Sequence, residues 1–104
     1  MQVALDALLD TTEVDCIVKT AAVCDWRPAT QSTQKLSKET MTSSWEFQAN
    51  PDILAALGAR YGPGSPEYGP FLVGFAAQSK EDLEAKAISK MQRKCVHMMI
   101  GNQI

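Results

Sequence analysis

An α/β domain with a mainly parallel sheet is what this sequence predicts. Three apolar runs, at 16–23, 71–77 and 95–100, are continuous rather than alternating, as strands buried on both faces of a parallel sheet are. Segments of helical periodicity separate them, and strands that alternate with helices form βαβ units joined by right-handed crossovers. Such sheets bind ligands in the crevice at the carboxyl ends of their strands, which directs attention to the residues just past each run.

Taken in order, Val3, Leu5, Leu8 and Leu9, with Ala4 and Ala7 between, fit a short amphipathic helix ending near the Thr11-Thr12 pair. In the first apolar run Lys19 is the misfit, and it indicates a face that opens near a cleft or the sheet edge. Residues 24–44 turn polar, and Pro28 blocks helix near their start. A loop of this length inside a compact domain is uncommon, and the basic cluster within it marks it as functional rather than disordered. Trp45 and Phe47 alternate with Glu46 and Gln48, as in a short edge strand delivering the chain to Asn50. A helix is expected there, with Asn50 as cap, Pro51 in the first helical position, Asp52 complementing the positive end, and Ile53, Leu54 and Leu57 as the buried stripe. Gly58 and the Gly/Pro-rich stretch 62–66 end it. Ser79 followed by Asp82 resembles a capping signal for a helix running to about Lys94, with Leu83, Ala87 and Met91 facing inward.

Composition excludes several classes. At 104 residues the chain is one domain at most, and its formal charge of −2 argues against general nucleic-acid binding, which needs Lys and Arg in net excess. Cys16, Cys24 and Cys95 are odd in number and lack C-x-x-C spacing, so they read as reduced structural thiols, with neither a disulfide framework nor a metal site. No apolar run approaches the roughly 20 residues that span a bilayer, and no signal core follows Met1, so no membrane association and a soluble, cytoplasmic protein are expected.

The residues that can carry chemistry are few. Asp25 falls just past a strand, where a carboxylate can accept hydrogen bonds from a sugar hydroxyl or base amine, or simply form a turn. Trp26 beside it stacks on a ligand or closes the core, and core closure is favoured. Lys35 and Lys38 place two positive charges close together, an arrangement that meets a phosphate or carboxylate or remains a solvated pair. Lys86, Lys90 and Lys94 recur every four residues along one face of the last helix, a wet face unless the amino end of the helix at Pro51 lies nearby and makes it an anion site. Phe75, between Gly74 and Ala76, sits where small residues allow close ligand approach, although core packing is the better reading. His97 is the single histidine, without a partner in motif spacing, and reads as structural. Without G-x-G-x-x-G, a P-loop or a serine elbow, the pattern stops at an α/β nucleotide or anion binder.

Four phrases in fixed order go further: Ala21-Ala22-Val23-Cys24-Asp25-Trp26-Arg27, Lys35-Leu36-Ser37-Lys38, Asn50-Pro51-Asp52-Ile53 and Gly74-Phe75-Ala76-Ala77. Together they resemble the phosphopantothenate–cysteine ligase family, also called phosphopantothenoylcysteine synthetase, the C-terminal half of the bifunctional coenzyme A biosynthesis flavoprotein. The likeness runs from about Val14 to Asn102. It implies a Rossmann-like three-layer domain, truncated at both ends, with residues 25–44 as a strap reaching across a dimer interface. It also implies a two-step reaction: CTP, or ATP, with Mg2+ activates the carboxylate of 4'-phosphopantothenate as an acyl-nucleotidylate, and cysteine then displaces the nucleotide to form an amide. No flavin is expected on this segment. Carried over by motif, the nucleotide contacts are Ala21, Asp25, Lys35, Pro51, Asp52, Ile53, Leu54, Phe75, Lys90 and Lys94, with Lys35 the catalytic residue that stabilises charge as two anions approach. The implied partners are a second copy of the chain or an N-terminal synthetase/decarboxylase portion. The segments that complete the phosphopantothenate pocket would precede Met1, so the chain alone is expected to be inactive; the alternative is a non-catalytic nucleotide-binding or interaction module.

Overall fold

A computed structural model describes residues 1–39 and 44–104. The chain divides into two compact units, one comprising 1–21 and 52–104, the other 22–51.

The larger unit holds α1 (Gln2–Thr11), β1 (Cys16–Lys19), α2 (Ile53–Tyr61), β4 (Phe71–Gln78), a 3₁₀ turn (Lys80–Asp82), α3 (Leu83–Lys94) and β5 (Met98–Gln103); β2 (Trp26–Pro28) and β3 (Phe47–Ala49) belong to the smaller unit. Its sheet has the order β1-β4-β5 and is parallel throughout, with Ile17 opposite Leu72 and Val73 opposite Met98. The α/β expectation and the parallel sheet both hold. All three helices pack on one face. Leu54 of α2 lies 2.7 Å from where a Cβ on Gly74 would stand, and Leu83 and Ala87 of α3 lie 3.0 and 3.5 Å from the equivalent point on Gly101, which shares that face. Leu5 and Leu9 of α1 pack on the same core, which is built from Ile53, Leu54, Leu57, Tyr61, Leu72 and Val96. The described residues of the larger unit thus comprise a sheet and one helical layer. The opposite face carries Val18, Phe71, Met98 and Ile100, each at least 40% exposed.

Several boundaries differ from expectation. β1 ends at Lys19 instead of continuing to residue 23, because its pairing with β4 stops at Lys19 opposite Gly74. It is an edge strand of the described sheet rather than one buried on both faces, which accounts for Lys19. The third strand begins at Met98, three residues late, and is largely exposed. Cys95 is the left-handed cap of α3 (φ 52°), and Val96 turns into the core at 3% exposure. Asn50 does not cap α2 and Pro51 is not its first residue: the cap is Asp52, whose carboxylate accepts the Ala55 N–H at 3.1 Å. Gly58 does not end α2 but lies buried within it, where only hydrogen fits against the Lys94 and Cys95 backbone; Gly62 is the C-cap. Neither Ser79 nor Asp82 caps through its side chain, since the Asp82 carboxylate instead pairs with Lys86 at 3.1 Å. His97 has the structural role expected: its Nδ1 accepts the Leu72 N–H at 2.9 Å, its own N–H donates to the Leu72 carbonyl at 3.1 Å, and its ring stacks on Phe71.

The smaller unit contains β2 (Trp26–Pro28) and β3 (Phe47–Ala49), antiparallel, with Arg27 opposite Gln48. The expected loop 24–44 therefore holds a strand that its Pro28 does not prevent, since a proline can stand in an edge strand where its missing N–H costs no ladder bond. Trp26 is 62% exposed and closes no core. The portion of the expected strap at 40–43 lies outside the described residues. All three cysteines are free and exposed, and Cys95 holds a structural place as the cap of α3.

Candidate functional site

In the larger unit, the carboxyl end of the sheet gathers charge around the start of α2. The first amides of a helix have no internal acceptor, and its dipole places partial positive charge there. Asp52 answers both: one carboxylate oxygen takes the Ala55 N–H, and the other pairs at 2.5 Å with Nζ of Lys94, from the last turn of α3. The Lys94 side chain is 15% exposed, so this pair is partly withdrawn from water. Burial pushes the Asp52 carboxyl up, but the Lys94 hydrogen bond, the Ala55 N–H and the charges of Lys94 and Lys19 outweigh it, holding its pKa below the ordinary 3.8.

Lys19, at the end of β1, donates to the Ala21 carbonyl at 3.3 Å and has no ion pair among the described residues. With Thr20, Ala21, Ile53 and Leu57 it lines a cavity of about 230 Å³. The structure thus brings together Ala21, Asp52, Ile53, Leu54 and Lys94 of the expected contacts. Ile53 and Leu54 are buried at 8% and 4% exposure and belong to the core, with Ile53 also lining that cavity. Lys90 stands half-buried one turn before Lys94, whereas Lys86 is exposed and paired with Asp82. The lysine row therefore does reach the amino end of the neighbouring helix, through Lys94 alone. Phe75 is not gathered with Asp52: it alternates with Gly74, which faces α2, and so belongs to the opposite face of the sheet, half-buried opposite Ile100.

Asp25, Lys35 and Pro51 belong to the smaller unit, all exposed. The Asp25 carbonyl accepts the Asn50 N–H at 2.7 Å, leaving its carboxylate in solvent. Lys35 makes no ion pair among the described residues. It follows a small turn in which the Ser32 hydroxyl donates to the Gln34 carbonyl at 2.7 Å, beside a cavity of about 440 Å³ lined by Thr30, Leu36 and Trp45. Two residues lie outside the expected contacts: Lys19, whose charge at the end of an apolar run signals the cleft that it lines, and Asn50, expected only as a cap. No group of three His, Cys, Asp or Glu side chains gathers to hold a metal among the described residues, and no helix is long and apolar enough to cross a membrane.

The sequence profile of the family described as DNA/pantothenate metabolism flavoprotein C-terminal domain matches residues 1–104. The chain is similar to the protein named "Coenzyme A biosynthesis bifunctional protein CoaBC" of Vibrio cholerae, 37% identical over 97 residues, which covers 91% of this chain and 23% of that protein. Proteins of the same name from Bacillus subtilis (32% over 90 residues; 86% of this chain, 20% of the relative) and Escherichia coli (28% over 107 residues; 100% and 24%) are also similar. The chain spans under a quarter of the length of these relatives.

Proposed function

This chain belongs to the family of DNA/pantothenate metabolism flavoprotein C-terminal domains, and on that premise we propose that it serves coenzyme A biosynthesis as the nucleotide-binding part of a phosphopantothenate–cysteine ligase. The observation that carries the reading is the cluster at the start of α2, where helix amides, Lys94 and Lys19 concentrate positive potential beside Ala21 at the carboxyl end of a parallel sheet. A triphosphate approaching these amides competes with Asp52 for Lys94. Asp52 therefore acts as a stand-in anion that keeps the cation in place until the ligand arrives. CTP, or ATP, brings Mg2+ on its phosphates.

Asp25 and Lys35 are the proposed contacts from the smaller unit. Asp25 accepts hydrogen bonds from the nucleoside, and Lys35 stabilises the charge that develops as the 4'-phosphopantothenate carboxylate attacks the nucleotide. Attack forms the acyl-nucleotidylate and releases pyrophosphate; the cysteine amine then forms the amide bond and releases the nucleoside monophosphate. Ligation requires a pocket completed by a second copy of the chain or by the remaining portion of a CoaBC-like protein.

The test supplies phosphopantothenate, cysteine and CTP to the purified chain, alone and with the separately expressed remainder of a CoaBC relative, and measures amide product and CTP binding. We expect CTP binding by the chain alone, little or no amide, and amide formation on mixing. Inactivity on mixing with CTP binding retained would favour a non-catalytic nucleotide-binding module, and no nucleotide binding in either state would refute the reading.

A further inference from the structure

The smaller unit has no apolar core: of its described residues, every one but Asn50 is exposed. Two strands of three residues are marginal by themselves. Asn50 is the partly buried exception, and three hydrogen bonds converge on it. Its backbone N–H donates to the Asp25 carbonyl at 2.7 Å, its Nδ2 donates to the Cys24 carbonyl at 2.8 Å, and its Oδ1 accepts from Nη1 of Arg27 at 3.0 Å. These contacts bracket Asp25 on both sides and bind it to the end of β3, 25 residues further along the chain.

We propose that Asn50, aided by Arg27, is a positioning residue that presents the Asp25 carboxylate to a nucleotide. The assignment rests on the nucleotide-binding reading above for Asp25, but not for the clamp itself. An exposed aspartate on an uncored segment samples many directions, and a ligand that orders it on binding loses affinity accordingly. Asparagine suits the task because its amide offers a donor and an acceptor in one plane, meeting a carbonyl on one side and a guanidinium on the other. Aspartate cannot donate to Cys24, and alanine can do neither. An Asn50 that only capped a helix would bond forward to residues 52 or 53; here its side chain bonds backward, to the segment that holds Asp25.

The experiment compares wild type with Asn50→Ala, Asn50→Asp, Asp25→Ala and the double variant, measuring CTP affinity by calorimetry and amide hydrogen exchange over residues 22–30. Asn50→Ala is expected to weaken CTP binding about tenfold and to speed exchange in that segment, leaving exchange in β4 and α3 unchanged. Asn50→Asp, which keeps the acceptor for Arg27, falls between. The double variant binds no more weakly than Asp25→Ala, because Asn50 acts through Asp25. Unchanged affinity in Asn50→Ala, or losses that simply add in the double variant, overturns the positioning role. Unchanged exchange overturns the clamp. A wild type that binds no CTP overturns the nucleotide reading, and with it the purpose assigned to Asn50, while the exchange data still decide whether the clamp exists. Should Asn50→Ala fail to fold, Asn50→Asp and Arg27→Met, each removing one contact, decide between these outcomes.

Discussion

Replacing Gly58 with alanine sets two effects of opposite sign against each other. Alanine is the better helix former by about 1 kcal/mol, so propensity alone predicts stabilisation of α2. A Cβ at this position, however, would stand well inside contact distance of the Lys94 carbonyl oxygen and 2.8 Å from that of Cys95. Both are backbone atoms and cannot rotate aside. Cys95 is the left-handed cap of α3 and the next residue, Val96, is buried at 3%, so the chain there yields only by moving the end of α3. Overpacking of this kind costs about 1 to 3 kcal/mol, and against main chain the upper figure applies. The net expectation is a loss of about 2 kcal/mol, or roughly 10 °C in melting temperature for a chain of this size. Urea unfolding followed by far-ultraviolet circular dichroism measures it, with Ala59→Gly in the same helix as the control. Ala59 is exposed, so its replacement costs up to about 1 kcal/mol through propensity. Both changes should destabilise, whereas propensity alone demands opposite signs. A Gly58→Ala chain as stable as wild type, or more so, would refute the close approach of α2 to the α3 cap.

Asp52→Asn keeps a capping acceptor but leaves Lys94 without its counter-charge, and should cost about 1 to 2 kcal/mol near neutral pH, between the exposed and buried limits for an ion pair. Because the folded-state pKa of Asp52 lies below its ordinary 3.8, its contribution is fully present above that value and is lost as pH falls through the folded pKa. The difference between wild type and variant should therefore shrink in denaturant titrations carried out at progressively lower pH through this range, and a difference that grows with acidity contradicts the pairing. Leu72→Ala, at a fully buried position, should lose 2 to 5 kcal/mol, read in the same titration; a loss below about 1 kcal/mol would place the core elsewhere. Lys35→Ala, exposed and outside any ion pair among the described residues, should leave stability within about 0.5 kcal/mol while reducing ligation by the completed enzyme, and unchanged ligation removes it from the mechanism.

The parallel sheet was legible because apolar runs at 71–77 and 95–100 have no polar alternation to place them at a surface. Their limits were not, because limits are set by partners. Thr20 to Val23 are as apolar as much of β1, yet the ladder ends at Lys19 opposite Gly74. Cys95 looks like the start of a strand until α3 is seen to end against Gly58 and Gly62, which forces a left-handed turn there. At the site, Asn50-Pro51-Asp52 offers two capping residues one proline apart, and local propensity cannot choose between them. Bonds to Cys24, Asp25 and Arg27 occupy Asn50 and leave the cap to Asp52. The Asp52–Lys94 pair joins residues 42 apart, so each was visible as a charge and neither as the other's partner.

Both tryptophans of the chain, Trp26 and Trp45, lie in the smaller unit and are exposed. Intrinsic fluorescence excited at the indoles therefore originates in the clamped strand pair, whereas the buried Tyr61 belongs to the core of the larger unit. A melt followed by emission therefore reads the clamp that Asn50 makes, and its midpoint departs from that of a melt followed by ellipticity to the extent that the strand pair opens without the core.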